Sequence, residues 1–181
     1  MKLRRRKKLQ QYLLEAASWA DAKQVAALLR AGADPNMPGR GGSTPLYRAS
    51  VQDMADNVRV LLAAGAEPNW ESGTGEEGLP LCGAACWGHT ATVRELLAGG
   101  ADPNLREDDG RGHTAVEWAE IGGHRSTLEL CTSPTQASRS LDARGLTRPG
   151  HRSPPSRTAD GLPVVQGPSA DERSEATQRA K

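Results

Sequence analysis

Phenylalanine is absent from this 181-residue chain, and four Trp and two Tyr supply all of its benzenoid rings. A large globular core packed on aromatic side chains is therefore disfavoured, and Ala, Leu and Val must do the burying. Cysteine is also scarce: Cys82, Cys86 and Cys131 are too few and too oddly placed for a disulfide framework. No run of 18 apolar residues occurs, so no spanning helix is expected. The basic start lacks the apolar stretch of a signal peptide, and the early Glu15 and Asp21 oppose a transit peptide. The expectation is an intracellular protein, in cytoplasm or nucleus, without a membrane partner.

Charge of one sign is missing locally rather than globally. Residues 1–8 hold six cations (Lys2, Arg4, Arg5, Arg6, Lys7, Lys8) and no anion. Residues 9–131 hold 9 basic and 17 acidic side chains, a formal −8, and residues 132–181 hold 8 basic and 5 acidic. An acidic body repels a phosphate backbone, so nucleic acid is expected to bind, if at all, through residues 1–8.

What the chain has is a repeated phrase. Gly-Ala-Asp-Pro-Asn stands at 32–36 and again at 100–104, with Gly-Ala-Glu-Pro-Asn at 65–69, steps of 33 and 35 residues. A period of this length marks stacked supersecondary units that cannot bury their apolar faces alone. In that register Val25, Val58, Val93 and Leu128 align, and the first three precede Leu28-Leu29, Leu61-Leu62 and Leu96-Leu97. Apolar residues at i, i+3 and i+4 form one face of a helix. The following Gly suits the left-handed turn past a helix end, and Pro then prevents continuation.

A first helix precedes each of these. Thr44-Pro45-Leu46-Tyr47 can cap and start one, Leu79-Pro80-Leu81-Cys82 keeps the Pro without the hydroxyl, and Thr114-Ala115-Val116-Glu117 keeps the Thr. Small residues follow at Ala16-Ala17, Ala49-Ser50, Ala84-Ala85 and Ala119, where helices approach closely. Gly88-His89 and Gly123-His124 close the turns between helices.

Together these residues, over about 9–131, resemble the ankyrin repeat. The resemblance implies an all-α solenoid of about four helix-turn-helix units, with β-hairpin fingers projecting between them. In the first unit Leu13 takes the Leu place, but Gln11-Tyr12 replaces Thr-Pro, and its helix is expected to begin near Leu9. The connectors from Asn69 to Leu79 and from Asn104 to Thr114 are two residues longer than that from Asn36 to Thr44. Insertions of this kind map to one face, often the binding face. The last unit is incomplete: Thr132-Ser133-Pro134 stops it before a Leu-Leu pair, and a frayed final helix is expected. Residues 132–181, rich in Ser, Pro, Arg and Thr, have a disordered composition. Ser133-Pro134 and Ser153-Pro154 in that tail are candidate phosphorylation sites.

Few constellations suggest chemistry. Cys82, Cys86 and His89 at i, i+4 and i+7 could share a helical face like zinc ligands, but no fourth ligand follows by spacing. His89 and His124 are accounted for by the repeat, and no nucleophile motif accompanies His113 or His151. Neither an enzyme nor a cofactor or metal is expected. The tryptophans are more informative. Trp19 and Trp87 share one register position, which in the resembled family borders the concave groove. Each is either an exposed anchor for a partner or packed against a neighbouring unit. Trp118 reads as structural.

The expected function is non-enzymatic binding of another protein by a monomeric adaptor or regulator. Its groove and finger residues are Trp19, Arg40, Tyr47, Arg48, Trp70, Glu76, Glu77, Trp87, Arg106, Asp108 and Arg111. The acidic body favours a partner patch that is basic or of mixed polarity. The alternative is a nuclear or nucleic-acid-associated regulator that relies on residues 1–8.

Overall fold

The computed structural model describes residues 2–73 and 77–133. Glu76 and everything from Pro134 onward, Ser153 included, lie outside the described residues. Four helix pairs follow one another: α1 (Lys2–Trp19) with α2 (Ala22–Arg30), α3 (Pro45–Val51) with α4 (Ala55–Ala63), α5 (Pro80–Cys86) with α6 (Thr90–Ala98), and α8 (Ala115–Ile121) with α9 (Arg125–Thr132). A single turn, α7 (Glu107–Gly110), sits in the last connector. First helices pack in a row, α1 on α3, α3 on α5 and α5 on α8, and second helices in another, α2 on α4, α4 on α6 and α6 on α9.

The caps follow from the residues. The side chains of Asp21 and Thr44 accept from the amides of Gln24 and Tyr47, and Pro45 and Pro80 open their helices. Thr114 and Glu117 form a reciprocal capping box on α8. Gly32, Gly65 and Gly100 have φ of 96°, 88° and 93°, the left-handed geometry that lets Ala33, Ala66 and Ala101 donate back to Leu28, Leu61 and Leu96.

Between the rows lies an aliphatic core. Val25, Val58 and Val93 are fully buried at their aligned positions, as are Leu61 and Leu96. Leu13, Leu46 and Leu81, with Ala16, Ala49, Ala84 and Ala119, fill the first-helix row. Leu128, in register with the valines, is only half-buried, because among the described residues no helix pair stacks beyond α9.

Polar stitches join the units. Asn57, 1 % exposed, donates from Nδ2 to the carbonyls of Ala17 at 3.1 Å and Ala20 at 2.9 Å, with Ala16 at 3.4 Å. It thereby satisfies the end of α1, whose last carbonyls have no intrahelical partner. Its register partners are also buried: Thr92 donates to Asp53 at 2.9 Å, and Thr127 lies 3.2 Å from the Thr90 hydroxyl. His89 and His124 place Nε2 against the carbonyls of Val51 and Cys86, one unit back, at 3.2 and 3.0 Å. The Asn that ends the repeated phrase reaches forward. Asn36 donates to Gly65 O and accepts from Glu67 N–H, and Asn69 does the same with Gly100 and Asp102. The first phrase has no predecessor, and Gln10 of α1 clamps it instead, donating to Asp34 O and Met37 O and accepting from Asp34 N–H.

Three expectations are corrected. Helix α1 begins at Lys2 rather than near Leu9, because residues 2–19 are mostly good helix formers without Gly or Pro. The expected β-hairpin fingers contain no strand among the described residues. Each is a loop with one closing backbone bond, Gly39 N–H to Ser43 O (2.9 Å), Ser72 N–H to Gly78 O (3.0 Å) and Glu107 N–H to His113 O (3.2 Å). Their Gly, Pro and Asp content does not sustain a ladder. The last helix, expected to fray, runs eight residues, and the Thr132 and Ser133 hydroxyls donate back to the carbonyls of Leu128 and Glu129.

Replacing Asn57 tests the buried stitch. Asn57→Ala leaves the α1 carbonyls without their donor and should lower unfolding free energy by about 1–3 kcal/mol. The readout is a reduced urea midpoint at unchanged slope. Asn36→Ala, at a more exposed clamp, should shift the midpoint less; the reverse order would contradict the assignment.

Candidate functional site

The residues named from sequence separate into three groups. Trp19, at the end of α1, and Trp87, just past α5, are 73 % and 67 % exposed. The packed alternative is therefore not the one adopted by either indole. Arg40 and Arg111 are exposed in the connectors, and Trp70 is half-buried there. Arg48, though exposed, donates from Nε to Ser18 Oγ at 3.1 Å and ties α3 to α1.

Arg106 is held internally. It donates to both carboxylate oxygens of Glu117 (2.6 and 3.1 Å) and to Gly112 O (2.9 Å). The Thr114 amide first, and then Arg106, hold the Glu117 carboxyl below the ordinary range. Glu76 lies outside the described residues.

The third group converges. Tyr47, Glu77, Trp87 and Asp108 line an open cleft of about 230 Å³, together with Gly78, Cys82, Gly83, Cys86, Glu107 and Trp118. Its floor comes from the first-helix row and its rim from two finger loops. Gly83 of α5 keeps the floor low: a Cβ there would stand 2.9 Å from Val51 Cγ1 and 3.2 Å from the Tyr47 ring. Arg48 and Trp118 hold the same position in the neighbouring units, 35 residues away on either side. The missing side chain leaves the space between Tyr47 and Trp118.

Glu107 organises the wall. Its Oε1 accepts from Leu79 N–H at 3.1 Å and its Oε2 from Trp118 Nε1–H at 2.7 Å. One finger earlier, Ser72 does the equivalent job, its Oγ accepting from Thr44 N–H at 2.8 Å and donating to Glu77 at 2.9 Å. Leu79 lacks the hydroxyl that caps α3 and α8, and the next finger supplies a carboxylate to its amide. Asp108 sits at φ 53°, with its N–H on Glu71 Oε1 at 2.6 Å. Trp118 is braced from behind by His113, edge-on at 4.9 Å between ring centroids.

Among the described residues, the cleft lining holds three carboxylates and no basic side chain. Burial pushes the Glu107 carboxyl up, against the pull of the Trp118 and Leu79 donors, and Asp108 and Glu71 add to the rise. Burial also raises the Tyr47 phenol, with the charges of Glu77 and Glu107 in the same direction. The Cys82 thiol is pushed far up, first by burial and then by Glu107.

Cys82, Cys86 and His89 do not assemble a metal centre. Cys82 Sγ faces His113 O at 3.7 Å, and His89 turns its ring to Val51 of the preceding unit. Among the described residues, no three His, Cys, Asp or Glu side chains gather to hold an ion. No described helix is long and apolar enough to cross a membrane.

Sequence reasoning missed Glu107 and Gly83 and assigned Trp118 to structure alone. A signal existed in the register: Glu107 falls 35 residues after Ser72, and Gly83 between Arg48 and Trp118. What each would touch depends on the neighbouring unit.

The family model of the ankyrin repeat matches residues 79–108, which run from the start of α5 through α6 to the acidic turn at Asp108. Over those residues the chain is similar to an ankyrin repeat. No curated protein matches the chain significantly.

Two of the three thiols, Cys82 and Cys86, line the cleft, and Cys131 lies in α9. Burial raises Cys82 and Cys86 and holds Cys131 at about 11, and only thiolate attacks a disulfide reagent. At pH 8 Cys86, the least buried, should react first with an aromatic disulfide, while Cys82 and Cys131 react only on unfolding. Equal rates for all three in the native protein would refute this geometry.

Proposed function

We propose that this chain, with the ankyrin repeat at residues 79–108 as its centre, is a non-enzymatic protein-binding module. In this reading the units form a short solenoid, and the row of first helices and finger loops presents Trp87 and the acidic cleft to a partner. One observation carries it: a Trp that is 67 % exposed stands directly at the edge of a cleft. Large exposed aromatics beside pockets are characteristic of interface anchors. The intramolecular ties of Arg48 and Arg106 support the same reading, because they make the binding edge rigid before a partner arrives. The excess of carboxylates would steer a basic partner toward it. Trp19 and Trp70, with Arg40 and Arg111, would extend the contact along the row and the fingers.

Trp87→Ala tests it. Captured partners should be lost with an affinity drop of about 30-fold or more, the equivalent of roughly 2 kcal/mol for a hot spot, while the thermal midpoint stays within about a degree or two. A large fall in stability at unchanged capture would overturn the anchor role.

A second reading rests on the other end of the molecule. Arg4, Arg5, Arg6, Lys7 and Lys8 are all exposed on the first turns of α1, and such a cationic helix end suits a phosphate backbone or an import receptor. Deleting residues 1–8 should then abolish nuclear accumulation, or remove a nucleic-acid shift that weakens steeply with salt. Unchanged location and no shift in the intact chain would discard this reading.

A further inference from the structure

We propose that the cleft between Tyr47, Trp87 and Trp118 receives the guanidinium group of an arginine on the partner, an inference that rests on the protein-binding reading and specifies its chemistry. Two kinds of wall meet there. Tyr47, Trp87 and Trp118 contribute rings, while Glu77, Glu107 and Asp108 contribute carboxylates. Rings attract cations through their faces, and carboxylates accept charge-assisted hydrogen bonds.

Among the described residues, no cation of this chain pairs with the carboxylates. Among the described residues, the ion pairs involve Asp53, Asp56, Glu117 and Glu129, and none involves Glu77, Glu107 or Asp108. The nearest arginine in sequence, Arg106, is committed to Glu117 and Gly112. Among the described residues, donors on these acids are neutral, among them Trp118 Nε1–H and Leu79 N–H on Glu107 and the Ser72 hydroxyl on Glu77. These bonds orient the acids without neutralising them. A carboxylate holds about four lone-pair sites, so Glu107 keeps acceptor capacity after its two N–H contacts. The cleft is thus held in shape with no counter-cation on its acids among the described residues.

Geometry then selects among cations. A quaternary ammonium uses the rings but offers no N–H to the acids. An ammonium offers three donors from a point and is strongly hydrated. A guanidinium is planar, stacks on aromatic faces, and presents five donors in a fork. It alone engages ring walls and several carboxylates together. Glu107 is half-buried in the cleft lining, which calls for a charged group on a long stem.

The test uses the full chain and N-acetyl-arginine-amide as probe, followed through the four indole N–H resonances. The Trp87 and Trp118 signals should move and saturate, while those of Trp19 and Trp70 stay in place. The uncharged citrulline analogue should leave all four unmoved, and the lysine analogue should bind about tenfold more weakly, one charge-assisted bond's worth. Glu77→Gln and Asp108→Asn should each weaken arginine binding several-fold with an unchanged fold. Neither removes the Glu107 bonds to Leu79 and Trp118, so neither depends on a variant that disturbs the wall.

A citrulline response equal to that of arginine, equal binding of lysine, or unmoved cleft indoles overturns the guanidinium assignment. If arginine is silent while Trp87→Ala still weakens partner capture, this inference alone fails. If arginine saturates the cleft while Trp87→Ala leaves capture untouched, the anchor reading fails and the cleft chemistry stands.

Discussion

Helices α3, α5 and α8 are seven residues long, well short of the about 12–15 residues at which an isolated helix becomes even marginal in water. Each persists because a neighbour covers it. The aligned Val and Leu of the second helices and the Ala positions of the first are buried against the unit before and the unit after. Removing this mutual burial would leave single turns with caps and no core. Everything else, from the finger loops to the cleft, is positioned by the requirement that one unit sit in register on the next.

Apolar contact alone does not set register tightly, since Ala and Leu faces tolerate sliding. The polar stitches do. Asn57, Thr92 and Thr127 occupy one position in three successive units, and each bonds backward to an earlier one. Asn36 and Asn69 bond forward through the repeated phrase. A displaced unit would bury these groups unpaired, which costs more than the bonds contribute when made. Gln10 at the start and the Thr114–Glu117 capping box at the end provide from within a unit what a neighbour provides elsewhere.

The cleft arises where that pattern is varied. Ser72 serves the Thr44 amide, and the Glu at the corresponding place, 107, serves Leu79 with a charge in addition to a bond. Gly83 replaces a large side chain on the floor, and Trp118 leans over from the next unit with its N–H fixed by Glu107. An element that is structural in one unit therefore becomes a charged, ring-walled recess in the next. Trp87 at its edge adds exposed apolar surface without core duty. Under the binding reading proposed above, a fixed wall whose acids have no counter-cation among the described residues suits a basic partner.

Much of the helical layout was legible in the residues. The Val and Leu spacing marked the buried faces, Thr44 and Thr114 marked their caps, and the phrase glycines marked the helix ends. Those are local properties of period, hydroxyl position and backbone freedom, and nearest neighbours in sequence determine them. The early start of α1 and, among the described residues, the absence of a finger ladder were not legible, because local propensities at a basic helix start and in Gly- and Asp-rich connectors are weak and tertiary context overrides them. Exposure of Trp19 and Trp87, the internal commitment of Arg106 and the role of Glu107 were decided only by tertiary structure. Each depends on groups about one repeat away, or on a loop folding back, and such contacts exist only after the units have stacked.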